Sequence, residues 1–109
     1  MEIKICKDFT DAPGPRFKSQ GDFSGEAFRE EFLVPKFKEA LEKKEKLVIN
    51  FDGTFGYPTS FLEEAFGGLK EKYDKKLILK TLDFISNDEI GLIDEVKVYI
   101  ESDERKTKK

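Results

Sequence analysis

Thr59 and Ser60 stand side by side after Pro58 and ahead of a helix-period stretch, and of all residues in this chain they are the best placed to carry chemistry. Hydroxyls at a helix start lie among unpaired backbone N–H groups and at the positive end of the helix dipole. That setting favours added negative charge, including a phosphate on either side chain. On physics alone, the stronger reading of Ser or Thr in this position is a helix cap. If Ser60 is the cap, Thr59 is the freer hydroxyl. Glu63 and Glu64 follow and would repel a phosphate, an effect screened where they face solvent. Other carboxylates, Glu26 and Glu30 among them, fall at the spacings of a solvated helix face, and no pair stands out as acid and base.

The chain has no histidine. That removes the commonest general base, the usual zinc nitrogen ligand and the base of a Ser or Cys triad. Cys6 is the only cysteine, so no disulfide can form within the chain; set among apolar residues, it reads as a buried, inert thiol in a reducing compartment. Gly53-Thr54-Phe55-Gly56 has neither the P-loop nor the dinucleotide spacing and reads as turn chemistry. These features exclude most enzyme classes, and the expectation is a non-enzyme with no metal and no cofactor. Twenty basic residues against 23 acidic ones leave a net charge of −3, which supplies no field to draw nucleic acid. No apolar run reaches the roughly 18 residues needed to span a bilayer. A cytoplasmic protein engaging neither nucleic acid nor membrane is expected.

The elements that position Thr59 and Ser60 follow from period and punctuation. At 109 residues the length suits one domain, expected over 1–103, with 104–109 a disordered basic tail. Eleven phenylalanines offset a composition that is 39% charged and supply a core. Alternation predicts a strand over residues 2–9, closed by the Pro/Gly cluster that ends at Pro15, and a brief second strand at Arg16-Phe17-Lys18. Ser24 is a helix N-cap, and Phe28, Phe32, Phe37 and Leu41 outline a helix over 25–44 that Pro35 should kink or break near Val34. Leu47-Val48-Ile49-Asn50-Phe51 is apolar on both faces and reads as a central strand covered on both sides. Ser60 with Glu63 forms a capping box opening a helix to about Tyr73, with Leu62, Ala65, Phe66 and Leu69 buried and Gly67 and Gly68 allowing close approach to the sheet. Leu77-Ile78-Leu79 reads as a further strand over 76–82. Ser86 with Glu89 reads as a second capping box, before a helix carrying Ile90, Ile93, Val96 and Ile100, although Val96, Val98 and Ile100 also alternate like a strand. Alternating strands and helices joined by short connections imply parallel neighbours.

In open α/β sheets, ligands and partners engage the loops beyond the carboxyl ends of the strands. The candidate site is therefore the segment Asp52 to Ser60, with a docking surface around Gly53 to Phe61. Asp52, Gly53, Phe55, Gly56, Tyr57, Pro58 and Phe61 are its candidate partner-binding residues, with Thr59 and Ser60 as candidate phosphoacceptors. Phe55 and Tyr57 have two readings, an exposed docking surface or packing against the domain's own core. A small-molecule or nucleotide sensor using the same loop is the alternative to a protein-docking module.

The stretch Leu47-Val-Ile-Asn-Phe-Asp52, together with Thr59-Ser-Phe-Leu-Glu-Glu-Ala-Phe-Gly-Gly-Leu69, resembles the core of STAS domains, the anti-anti-sigma-factor group. It is closer still to the bacterial STAS-like domain family of unknown function. Arg16-Phe17 and Gly21-Asp-Phe-Ser-Gly-Glu-Ala-Phe-Arg-Glu-Glu-Phe-Leu-Val-Pro35 also look like that family's N-terminal motif. The resemblance implies an α/β fold with a mixed sheet of about four strands and helices packed mainly on one face. It also implies a regulatory module controlled through a protein partner, a histidine-kinase-like ATPase that phosphorylates a hydroxyl at the start of the helix after the central strand. That acceptor matches Thr59, with Ser60 next. Where the anti-anti-sigma group has Asp-Ser-Ser-Gly, this chain has Pro58-Thr59-Ser60-Phe61.

Overall fold

The run Leu47-Val48-Ile49-Asn50 forms a strand, β2 (Leu47–Asn50), that lies in the middle of a sheet. It pairs in parallel with β1 (Glu2–Lys4) on one side and β3 (Leu82–Ile85) on the other. The computed structural model describes residues 1–103; residues 104–109, expected as a disordered tail, lie outside the described residues. Among the described residues the sheet has three parallel strands, not four mixed ones. Register sets Ile3, Ile49 and Phe84 in one row and Leu47 opposite Leu82, and this face is buried or packed against the core. The alternate rows, Glu2-Val48-Asp83 and Lys4-Asn50-Ile85, are exposed or half-exposed. β2 is thus central but covered on one face only, because the residues flanking its row of apolar side chains are largely polar.

The expected strand over 2–9 stops at Lys4. Asp8 folds back so that its Oδ2 accepts the Lys4 N–H at 2.8 Å, and α1 (Ile5–Asp8) is a helical turn instead. Arg16-Phe17-Lys18 forms no strand either. The Pro15 and Arg16 carbonyls accept the Gly25 and Glu26 N–H groups at 2.9 and 3.0 Å, so this segment crosses the start of α2 (Gly25–Phe28) and satisfies donors that a helix start leaves open. Ser24 caps that helix as expected, its Oγ accepting from the Ala27 N–H at 3.0 Å.

The chain stays helical from α2 through a π turn (Arg29–Leu33) into α3 (Val34–Lys43). Pro35 does not end the helix, but the geometry changes from π to α at Val34, where the interruption was expected. The proline sits in the first turn of α3, where a missing N–H is tolerated, and the wider π turn ahead of it absorbs the mismatch. The second long helical stretch has the same construction: α4 (Thr59–Leu62), a π turn (Glu63–Gly67) and a 3₁₀ turn (Gly68–Glu71). Leu62, Ala65, Phe66 and Leu69 are buried along it as expected. The close approaches of the two glycines are not to the sheet. A Cβ on Gly68 would meet Arg29 Nη1, and one on Gly67 would meet the Glu63 carboxylate and the Tyr99 carbonyl.

Two further expectations fail near the third strand. Leu77-Ile78-Leu79 is helical, within α5 (Lys75–Thr81), because Asp74 caps it by accepting the Lys76 N–H at 3.0 Å; β3 follows at once. Ser86 does not cap the last helix. Its hydroxyl donates to the Glu89 carbonyl at 3.1 Å in a tight turn, and α6 (Leu92–Glu101) begins only after Gly91, whose φ of +88° suits glycine. Ile90 is left fully exposed ahead of it, while Val96 and Ile100 are buried. One core cluster joins Ile3, Ile49, Phe28, Phe37, Phe66 and Val96 from across the chain, with Phe9, Phe28 and Phe61 in mutual ring contact and Phe28 linked through Phe66 to Phe51, at 5.3 to 6.4 Å.

Candidate functional site

Asp52 ends the central strand and anchors the loop beyond it. Its carboxylate accepts the Asn87 N–H at 2.7 Å, the Asn87 side-chain amide at 2.9 Å and the Asp88 N–H at 3.0 Å. Asp88 reciprocates, its Oδ2 accepting the Gly53 N–H at 2.8 Å. These bonds, the one from the Asp88 backbone foremost, hold the Asp52 carboxyl below the usual carboxylate range. The loop after β2 is thereby clasped to the loop after β3. Gly53 (φ +95°) lies against Cys6, whose Sγ a Cβ at that position would meet. Cys6 itself is half-buried rather than buried.

Beyond the clasp the loop separates its aromatic residues. Phe55 is 88% exposed at the tip, its N–H held by the Asp11 carbonyl at 2.8 Å. Tyr57 is half-buried; its ring meets Phe51 edge-on at 5.4 Å and its hydroxyl donates to the Phe51 carbonyl at 2.7 Å. Burial pushes its phenol above the ordinary range. The two readings of this pair thus divide: Phe55 presents a surface and Tyr57 packs on the core. Phe61, expected at the docking surface, is fully buried against Phe9, Phe28 and Tyr57, since it occupies the inward side of the first turn of α4. Gly53 and Pro58 are exposed, and Gly56 (φ +128°) is half-exposed.

Thr59 is exposed and Ser60 half-buried, at the first two positions of α4. The expected Ser60–Glu63 capping box does not form. Pro58 occupies the cap position with extended backbone, and its carbonyl accepts the Leu62 N–H at 3.2 Å, so the helix starts ahead of Ser60. The Thr59 hydroxyl instead meets the phenol of Tyr99 on α6, which donates to Glu95 Oε2 at 2.6 Å. Burial, and then the bond to Glu95, raise that phenol to about 12.

Glu64 is not on a solvated face. It is 1% exposed and bonds the buried Arg29 guanidinium at 2.6 Å, while Arg16 reaches both Glu64, at 3.4 Å, and Glu63. Arg29 and Glu64 lie in the two π turns, and their charges meet between the helical stretches. Sequence periodicity missed this because each π turn shifts the inward arc by one residue. Between the two clasped loops a cleft of about 190 Å³ is lined by Phe51, Thr54, Phe55, Tyr57, Asp88 and Leu92, among others. No cluster of potential metal ligands and no helix long and apolar enough to cross a membrane occur among the described residues.

A small parallel sheet, helices against one face and an accessible loop after the central strand define a STAS-like α/β domain. The family of STAS-like domains of unknown function (DUF4325) matches residues 24–92, and the chain belongs to that family. No curated protein and no solved structure matches the chain.

Proposed function

We propose that this domain is a non-enzymatic regulatory module that docks a protein partner through the exposed part of the loop, Gly53 to Thr59, and is released when Thr59 is phosphorylated. The observation that carries the reading is Phe55: a large apolar side chain left 88% exposed at the tip of a loop whose base is fixed by hydrogen bonds and which leads to the exposed Thr59. Exposed aromatics on pre-organised loops are typical binding anchors. Asp52, Tyr57 and Phe61 support the surface from beneath, and Pro58 starts the helix that presents Thr59.

The partner in this reading is an ATPase of the histidine-kinase-like class. It transfers the γ-phosphoryl group of ATP to the Thr59 hydroxyl oxygen and releases ADP. A phosphate there would sit beside Tyr99 and the Glu95 carboxylate, and the added negative charge would disturb the surface where the partner rests. Two features favour protein docking over a nucleotide sensor: the cleft is smaller than the roughly 300–1,000 Å³ of ordinary ligand sites, and Asp88 and Glu89 line it against phosphate. The reading places the domain in the cytoplasm, where its thiol stays reduced.

The test is to incubate the purified protein with ATP and a kinase-like ATPase from the same cell, then to weigh it intact. A gain of one phosphoryl group that Thr59→Ala abolishes, with partner capture lost in Phe55→Ser, is the expected result. No mass gain together with undiminished capture by Phe55→Ser overturns it.

A further inference from the structure

Large exposed apolar side chains among the described residues are Phe23, Phe55, Ile90 and Val98. The first three each stand just ahead of a helix, α2, α4 or α6, in connections that leave the carboxyl ends of β1, β2 and β3. Because the strands are parallel, these connections share one end of the sheet. Phe55 and Ile90 are the most exposed of the set, and their loops are tied at the base: Gly53 N–H bonds Asp88 Oδ2 at 2.8 Å, and each apolar tip lies two residues further along. The tips are therefore held as a pair.

The two loops themselves carry charge of one sign, with Lys4, at the carboxyl end of β1, acting on Asp52 from the neighbouring strand. No lysine or arginine occurs between Lys46 and Lys70 or between Lys80 and Lys97, the two stretches that contain these loops. Asp88, Glu89 and Asp94 are exposed there.

We infer that this end of the molecule receives a cationic amphipathic segment of a partner protein, whose apolar side chains cover Phe55 and Ile90 while its lysines or arginines face Asp88, Glu89 and Asp94. The inference rests on the docking reading and specifies its partner's chemistry. Apolar anchors supply affinity, and the complementary charge supplies orientation and rate. A second copy of this chain fits less well. The lysines at the opposite end are interleaved with Glu39, Glu42 and Glu45, Lys43 is paired with Glu39 at 2.9 Å, and Lys46 lies 3.4 Å from Asp83, so this end of the described residues offers mixed rather than positive charge.

The experiment titrates the ¹⁵N-labelled full chain with three synthetic peptides of equal length: leucine/lysine amphipathic, leucine/glutamate amphipathic and serine/lysine. The leucine/lysine peptide should shift the amides of residues 53–56 and 88–91, bind more weakly as salt rises, and lose roughly tenfold or more in affinity to Phe55→Ser/Ile90→Ser and to Glu89→Lys. Both sets of positions are exposed, so these variants should keep the wild-type spectrum elsewhere. Shifts confined to other surfaces, or no binding by any peptide, overturn the inference. Equal binding by the leucine/glutamate peptide at these loops overturns the cationic partner and leaves the docking reading standing. Self-association in sedimentation that the same variants abolish assigns the surface to a second copy and also overturns it.

Discussion

Phe55 and Phe61 belong to one loop and helix start, yet one faces water and the other is sealed among rings. Removing them should have opposite consequences. Phe61→Ala leaves a cavity and should cost about 3–5 kcal/mol in urea unfolding, whereas Phe55→Ala should stay within about 0.5 kcal/mol. Tyr57→Phe keeps the ring packing but loses the bond to the Phe51 carbonyl, which should lower stability by about 1 kcal/mol. Asp52 adds a pH dependence. Its folded carboxyl holds a proton less tightly than the unfolded one, so its contribution is present above the unfolded value near 3.9 and is lost as pH falls through the lowered folded value. Hydrogen exchange should show protection of Asn87 and Asp88 amides failing only below about pH 4, and Asp52→Ala should lose it already at neutral pH. At this scale the Ser24 cap was legible, because a turn before and a helix period after leave it one role. The Ser60 cap was not. Pro58 took that position with backbone geometry that a pattern of hydroxyl and carboxylate cannot reveal.

The helical stretches are joined by the charge pair between Arg29 and Glu64, which are nearly inaccessible. Arg29→Ala should destabilise by about 3–5 kcal/mol, since it takes the nearest cation from a buried carboxylate and leaves Arg16 at 3.4 Å, and Arg29→Met with Glu64→Met should cost less than the single change. Chemical denaturation of the two variants measures the difference. The helices also approach closely at Gly25, where a Cβ would fall 2.5 Å from the Phe61 carbonyl oxygen; Gly25→Ala should cost about 1–3 kcal/mol. Central β2 was readable because an apolar run between charges is short enough for a strand and flanked on both sides by turn or charge signals. Leu77-Ile78-Leu79 met the same description and is helical, since only the preceding Asp74 cap distinguishes the cases. One-sided cover of β2 was hidden as well: Val48 is apolar whether or not a helix lies over it.

At the scale of the molecule, a core drawn from every strand and from α2 through α6 should unfold as one unit. Heating should give coincident transitions by circular dichroism and tyrosine fluorescence, and Val96→Ala, though on the last helix, should lower both midpoints together by about 4–8 °C for each kcal/mol lost. Fold class and the position of the candidate loop were legible from strand and helix order. The strand count was not, because Arg16-Phe17-Lys18 forms no strand: the Pro15 and Arg16 carbonyls bond the start of α2 instead. The π turn at Arg29–Leu33 carries one residue more than an α-helix would use, and a chain that skips one residue loses its phase on the helical screw. Excising Glu31 would remove only that surplus and let the α geometry run through with Phe28 and Phe37 near their present phase, whereas excising Lys38 from the regular turns of α3 would rotate what precedes it by about 100° and take Phe37 out of register with Ala40. Length is therefore specified unevenly along this helix: a single-codon deletion at Glu31 should be better tolerated in urea unfolding than the same deletion at Lys38.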